Sequence, residues 1–402
     1  MISLRALLQP RILWLSFLGV VLIVFPFVHG WPLFDGSIPY LGFLAVEITE
    51  FRTFNATMFG VWFLVVMSMN LLTGSSGQIS LGHAAVVLVG AYTTGILFVE
   101  FGFPLALAVI FAGVFTGIVG GVLIGFPAAR LSGPYLAIAT FSLIITLPQI
   151  LKLNGIDSLT NGALGIGIRP VGPPGLVNDV LGAVTRDAVS IDGRQWIYYV
   201  TIGTAFLMAV LLWNLTHSRI GRAFVALRDS EIGAEQMGVN VPLYKALAFG
   251  ISSFYAGIGG GLFFVVQTFV APESLRFNDS ILFLVAVVIG GLGSILGSVF
   301  GALFLTFQAE VISNLPDWIP WLSQVRDFER LSPVIYGSLL IVTILAFPRG
   351  LAGIVQSLLS LRRGGGIGAL DLPALSSIRG AWGNLSAFLL GNPSSDDRGK
   401  KE

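Results

Sequence analysis

The residues of this 402-residue chain that are able to do chemistry are few, and their spacing fits no catalytic or metal-binding pattern. There is no cysteine, so disulfides, thiolate nucleophiles and thiolate-held metals are ruled out. None of the four lysines, Lys152, Lys245, Lys400 and Lys401, precedes Ser or Thr, so the Gly-Lys-Ser/Thr core of a phosphate loop is missing. Any nucleotide chemistry therefore belongs to a partner, and the chain itself is expected to carry no cofactor. His29, His83 and His217 lack His-Glu-x-x-His or other ligand-like spacing, so no metal is expected. Lys152, Asp279 and Glu310 fall at or near the ends of apolar runs, which leaves no obvious proton relay at depth. What lies at depth is neutral and polar. Asn70, Thr73, Ser75, Ser76, Gln78 and Ser80 form one group, and Tyr135, Thr140, Ser142, Thr146 and Gln149 another. Both adjoin helix-breaking sequence, GSSG and SGP, where an interrupted helix can aim backbone N–H groups at a carboxylate. Gln78, Ser80, His83, Tyr135 and Thr140 are the candidate lining of a route for a small zwitterion. The competing reading for each is an inter-helix hydrogen bond, and for His83, which follows Gly82 near a helix start, that reading is preferred.

The elements that must position these groups are membrane spans. Hydrophobic residues make up 55% of the chain and charged ones 11%, against roughly 25% charged in a soluble domain. The net charge of +1 gives no reason to expect nucleic acid. On a template of about 20 apolar residues, ten spans are predicted. They lie near 11–28, 53–72, 80–99, 103–126, 134–151, 195–215, 246–270, 279–291, 294–312 and 332–348. The fold class is thus all-α and polytopic. The eighth run is short and ends in Gly290, Gly291 and Gly293, which predicts a broken or re-entrant element. The first run is an uncleaved span, since no small-x-small site follows it. Residues 38–52 read as interfacial, which gives three regions: 1–52, a transmembrane domain over 53–354, and a partly disordered tail over 355–402. Two glycine ladders, Gly113, Gly117, Gly121, Gly125 and Gly293, Gly297, Gly301, place small residues every fourth position for close helix packing.

One segment between spans is strongly charged: residues 218–245, SRIGRAFVALRDSEIGAEQMGVNVPLYK. Each ionised group would cost at least about 2.5 kcal/mol in hydrocarbon, so this is a loop in water. Ala223, Leu227 and Ile232 fit one face of short helices, and Gly238 and Pro242 interrupt them, which predicts a helix-turn-helix docking surface. With the N-terminus inside, Arg5, Arg11, Arg130, this island, Arg349, Arg362 and Arg363 all fall on the inner side, and both termini are cytoplasmic. The loop over 152–194 is then outside.

The island is also the strongest family resemblance. Glu231, Gly233, Ala234 and Gly238 follow the E-x-x-A-x-x-x-G-like spacing of an ABC-importer coupling loop, and Ile220 to Gly261 resembles the branched-chain amino-acid permease family, the LivM-type subunit. Gly74 to Tyr92, Leu131 to Thr140, Val285 to Phe304 and the FPRGLAGI stretch at Phe347 resemble the same family. In DSLTNGALGI, Asn161 departs from the family's glycine. The resemblance implies a bacterial inner-membrane permease for branched-chain or related neutral amino acids. It also implies a LivH-type second permease, two ABC ATPase subunits that bind ATP and Mg, and a soluble substrate-binding protein. Arg222, Arg228, Asp229, Glu231, Gly233, Ala234 and Gly238 would form the ATPase-coupling loop. A urea or short-chain amide importer shares these motifs, and an ion-coupled secondary transporter or channel is the rival from another class.

Overall fold

The computed structural model describes residues 50–128, 131, 133–174 and 192–318, with positions 334, 337, 338, 341 and 350–353. The predicted first span, most of the last one, Arg130, the remaining terminal arginines and the tail lie outside the described residues. Ten helices of more than one turn organise the rest: α1 (Glu50–Met69), α2 (His83–Val99), α3 (Leu105–Val119), α4 (Pro134–Leu151), α5 (Gly193–His217), α6 (Arg219–Asp229), α7 (Glu231–Gln236), α8 (Val241–Gln267), α9 (Phe277–Gly290) and α10 (Ile295–Trp318). Four apolar segments, Thr53–Ser75, Leu105–Ala128, Gly193–His217 and Val241–Gln267, are long enough to cross a membrane, and α2, α4, α9 and α10 contribute shorter apolar runs. Eight of the ten expected spans are therefore present as helices among the described residues. The protein is a helical, polytopic membrane protein.

α8 is the hub, packed against α1, α2 and α3, while α10 lies on α1 and α9 and α5 lies on α1. Lipid offers no hydrophobic drive for helices to associate, so close approach of backbones must supply the attraction. Glycine supplies it here. A Cβ at Gly260 would overlap the Val87 carbonyl oxygen and one at Gly90 the Gly257 carbonyl oxygen, so α2 and α8 cross with backbones in contact. The first ladder faces α8: Gly117 and Gly121 meet Gly250, Gly125 meets Ala246, and Gly113 meets Phe254 and Ile258. The second ladder divides. Gly297 and Gly301 pack α10 on Gly290, Gly291 and Ala286 of the α9 end, but Gly293 precedes the helix in a turn with φ +73°.

Three further departures have local causes. Two helices end in π-helical turns, Asn70–Ser75 after α1 and Gly120–Gly125 after α3, which the span template does not resolve. Such turns widen the helix and release backbone groups, and they recur at functional sites. The fold also carries a little β structure: β1 (Ile166–Gly167) pairs antiparallel with β2 (Phe269–Val270), joining the 152–174 segment to the end of α8. Asn161, the departure from the family's glycine, holds φ 57° and donates from Nδ2 to the Gly165 carbonyl. Asparagine is among the few residues that tolerate this left-handed region, so the substitution keeps the turn.

Candidate functional site

The charged island folds as two short helices and a turn before α8, with each helix start capped. Ser218 Oγ accepts from the Ile220 and Gly221 amides, Ser230 Oγ from Gly233 N, and Asn240 Oδ1 from Leu243 N. Each cap satisfies amides that a helix start leaves without partners. Gly238 holds φ +84° in the turn before α8, a conformation that penalises any side chain with a Cβ. Ala223, Phe224, Leu227 and Ala234 are buried against the bundle. Ile232 does not share their face: it is 72% exposed, because the break at Ser230 restarts the helical phase.

The island's charges are used differently from the sequence expectation. Arg228 does not simply present its charge outward. Its Nη1 donates to the Gly74 carbonyl at 3.0 Å, while Nε and Nη2 hold Asp229 Oδ1 at 3.1 Å. Glu231 is tied to Lys245, whose Nζ lies 2.8 Å from the carboxylate. Lys245 is not in the water-exposed loop: α8 begins at Val241, which buries it to 4% side-chain exposure, while Glu231 stays 47% exposed. Arg222 remains on the exposed side with one bond, to the His217 carbonyl.

The Arg228 contact leads straight into the first polar group. Asn70, 4% exposed, donates from Nδ2 to the Ser294 carbonyl at 2.8 Å and to Ser298 Oγ at 3.0 Å, and its Oδ1 accepts from Gly293 N at 2.7 Å. Gly74 sits directly on Gly293, and Gly350 on Gly291. The π turn after α1, the α9–α10 turn and the island are thus one hydrogen-bonded assembly at one end of the bundle. The opposite end is held by the β1–β2 pairing and by Lys152, 2.9 Å from Glu273, which keeps that carboxyl below its ordinary range.

Four of the five candidate route residues are internal. His83 Nε2 lies 2.6 Å from Ser68 Oγ, and Ser252 Oγ donates to the Ser68 carbonyl, so this histidine joins α1, α2 and α8. Thr140 Oγ1 accepts from Leu81 N, and Ser280 Oγ from Ala84 N. Those two amides at the start of α2 are therefore taken by hydroxyls of α4 and α9 rather than aimed at a ligand. Gln78 donates to Ser76 Oγ with its Oε1 buried and unpartnered, and Ser80 is buried nearby in sequence. Tyr135 is not brought to them; it is 71% exposed at the start of α4. The sequence placed Lys245 in the solvated island, where the structure buries it, and gave no role to Ser280 or the α8 glycines. The run GIGGG at Gly257–Gly261 was legible as close packing, whereas nothing local marks Ser280 as a cap for a helix nearly 200 residues earlier. Among the described residues no group of His, Asp or Glu could hold a metal ion.

The chain is thus a glycine-packed multi-span bundle with a capped helix pair bonded to its interrupted helix ends. The comparisons give the family. Residues 52–344 match the family described as the branched-chain amino acid transport system permease component, and the chain belongs to that family. It is 31% identical to the high-affinity branched-chain amino acid transport system permease protein LivM of Salmonella typhimurium, over 77% of this chain and 72% of the relative. The LivM protein of Escherichia coli K12 is 30% identical over the same shares. The LivH permease of Salmonella typhimurium is 26% identical over 75% of this chain and 94% of its own. No solved structure matches at a significant level.

Proposed function

We propose that this chain is one of two membrane permeases in an ATP-driven importer that moves branched-chain or related neutral amino acids inward across the bacterial inner membrane. A LivH-type permease is its partner in the membrane, two ABC ATPase subunits supply the energy from ATP and Mg, and a soluble protein delivers the substrate. Both termini are cytoplasmic, so the island of residues 218–245 and the 70–82 segment lie inside and residues 152–194 outside. The names of the relatives support this substrate class.

The observation that carries the mechanism is the bond from Arg228 to the Gly74 carbonyl. α6 and α7 are exposed on the side away from the bundle, with Arg222, Asp229, Ile232 and Gly233 presented outward. A displacement of these helices by an ATPase acts through Arg228 on the π turn of α1, and through Asn70 on the α9–α10 turn. Packed interiors resist continuous deformation, so a small shift at such a junction is transmitted as a rigid movement of helices. The pair of half-exposed Glu231 and buried Lys245 fixes α7 to the start of α8, which makes α8 the second output.

The test is transport by the complete complex in proteoliposomes, with ATP inside, the binding protein outside, and labelled leucine, valine or urea as solute. Amino-acid uptake that needs ATP is the expected result. Arg228→Ala should retain ATPase binding and lose most of the uptake. Uptake without ATP, or wild-type uptake by Arg228→Ala, would refute the coupling.

A further inference from the structure

Two of the three spans with broad exposed faces are apolar there, as lipid requires, apart from Asn214 and His217 in the last turn of α5. α3 exposes Leu107, Phe111, Val114, Phe115 and Ile118, with Val122 in the π turn after it, and α5 exposes Phe206, Leu207, Val210, Leu211 and Trp213. α4 differs. Its exposed residues include Tyr135, Ser142, Thr146 and Gln149, which recur at intervals of seven, four and three and so share one narrow line along the helix. Ile138, Ile145 and Ile150 flank that line on both sides. Ser142 and Thr146 lie about 12 and 18 Å along a helix of about 27 Å, at 1.5 Å per residue. They are thus near the middle of a hydrocarbon core of about 30 Å. Only Ser142 has a side-chain bond, to the Ala139 carbonyl, while Tyr135, Thr146 and Gln149 have none among the described residues. Lipid cannot satisfy such groups, and membrane proteins turn them toward protein or water.

We propose that the Tyr135–Ser142–Thr146–Gln149 line of α4 is a wall of the water-filled translocation path, where hydroxyl and amide groups replace the hydration of the zwitterionic head and the flanking isoleucines accept an aliphatic side chain. The inference rests on the importer reading for the identity of the solute, but not for the path. It replaces the buried cluster of Gln78, Ser80, His83 and Thr140, whose polar groups are enclosed within the chain, and of the five expected residues it retains Tyr135.

The chain has no cysteine, so single thiols report water directly. In the complete reconstituted complex, Ser142→Cys and Thr146→Cys are treated with a membrane-impermeant thiosulfonate, with Val114→Cys and Leu207→Cys as lipid-face controls. Only the thiolate reacts, so a watery wall should label at least about tenfold faster than the controls. Saturating leucine with the binding protein and ATP should slow labelling at positions 142 and 146 alone. Rates equal to the controls would overturn the proposal, whether lipid or a tightly packed second permease covers the line. Rapid labelling that leucine leaves unchanged, in a complex that does not import leucine, would leave the path standing and remove the amino-acid assignment. Rapid labelling that leucine leaves unchanged, in a complex that does import it, would overturn the wall.

Discussion

Asn70→Leu is the perturbation whose cost follows most directly from the geometry. The side chains are nearly the same size, so the variant removes hydrogen bonding without opening a large cavity. Three bonds of 2.7 to 3.0 Å are lost: to Gly293 N, the Ser294 carbonyl and Ser298 Oγ. Hydrogen bonds within membrane proteins are worth about 0.6 to 1.7 kcal/mol each, because the reference state in lipid also finds partners. The variant should therefore lose about 2 to 5 kcal/mol, a large part of a total stability of about 5 to 15. At about 2 °C per kcal/mol for a large chain, the purified complex should melt about 4 to 10 °C lower when followed by tryptophan fluorescence. Ser298→Ala removes only one of the three bonds and should move the midpoint by about a third as much. Uptake should fall more steeply than stability in Asn70→Leu, because the junction between the π turn and the α9–α10 turn is the proposed transmission element. A melting point within 1 °C of wild type, with normal uptake, would show that the junction neither holds the fold nor carries the stroke.

Glu231→Gln leaves a buried lysine without its counter-charge and should cost about 1 to 3 kcal/mol, discounted for the half-exposed carboxylate, with faster proteolysis between Asp229 and Val241. Lys245→Met removes the buried charge itself and should be milder; equal proteolysis rates for the two variants would refute the role given to the Glu231–Lys245 pair. Gly260→Ala should separate α2 from α8 at the Val87 carbonyl and cost about 1 to 3 kcal/mol, measured as a lower yield of folded complex in detergent; an unchanged yield would refute the backbone contact. Because Lys152 holds the Glu273 carboxyl below its ordinary range, the pair contributes fully above the unfolded carboxylate pKa and is lost as pH falls through the lower folded value. NMR titration of Glu273 should therefore move up toward the ordinary carboxylate range in Lys152→Met, with Arg276 keeping part of the depression, and an unchanged midpoint would count against the pair.

The limits of the eight spans among the described residues were legible because they depend on local composition: residues 134–151 were marked by an apolar run and Pro134, and α4 has those limits. The helix-turn-helix of the island was legible for the same reason, since Ser218, Ser230, Asn240 and Gly238 act on backbone within three residues of themselves. Partners distant in sequence were not legible. Which hydroxyl caps α2, where Arg228 sends its guanidinium and why Lys245 is buried depend on which helices become neighbours, and a polar residue at depth reads the same whether it faces protein or water. Thr140 and Ser142, two residues apart on one helix, show the division: the sequence grouped them, and the packing of α4 turned one to the Leu81 amide and left the other on the open face.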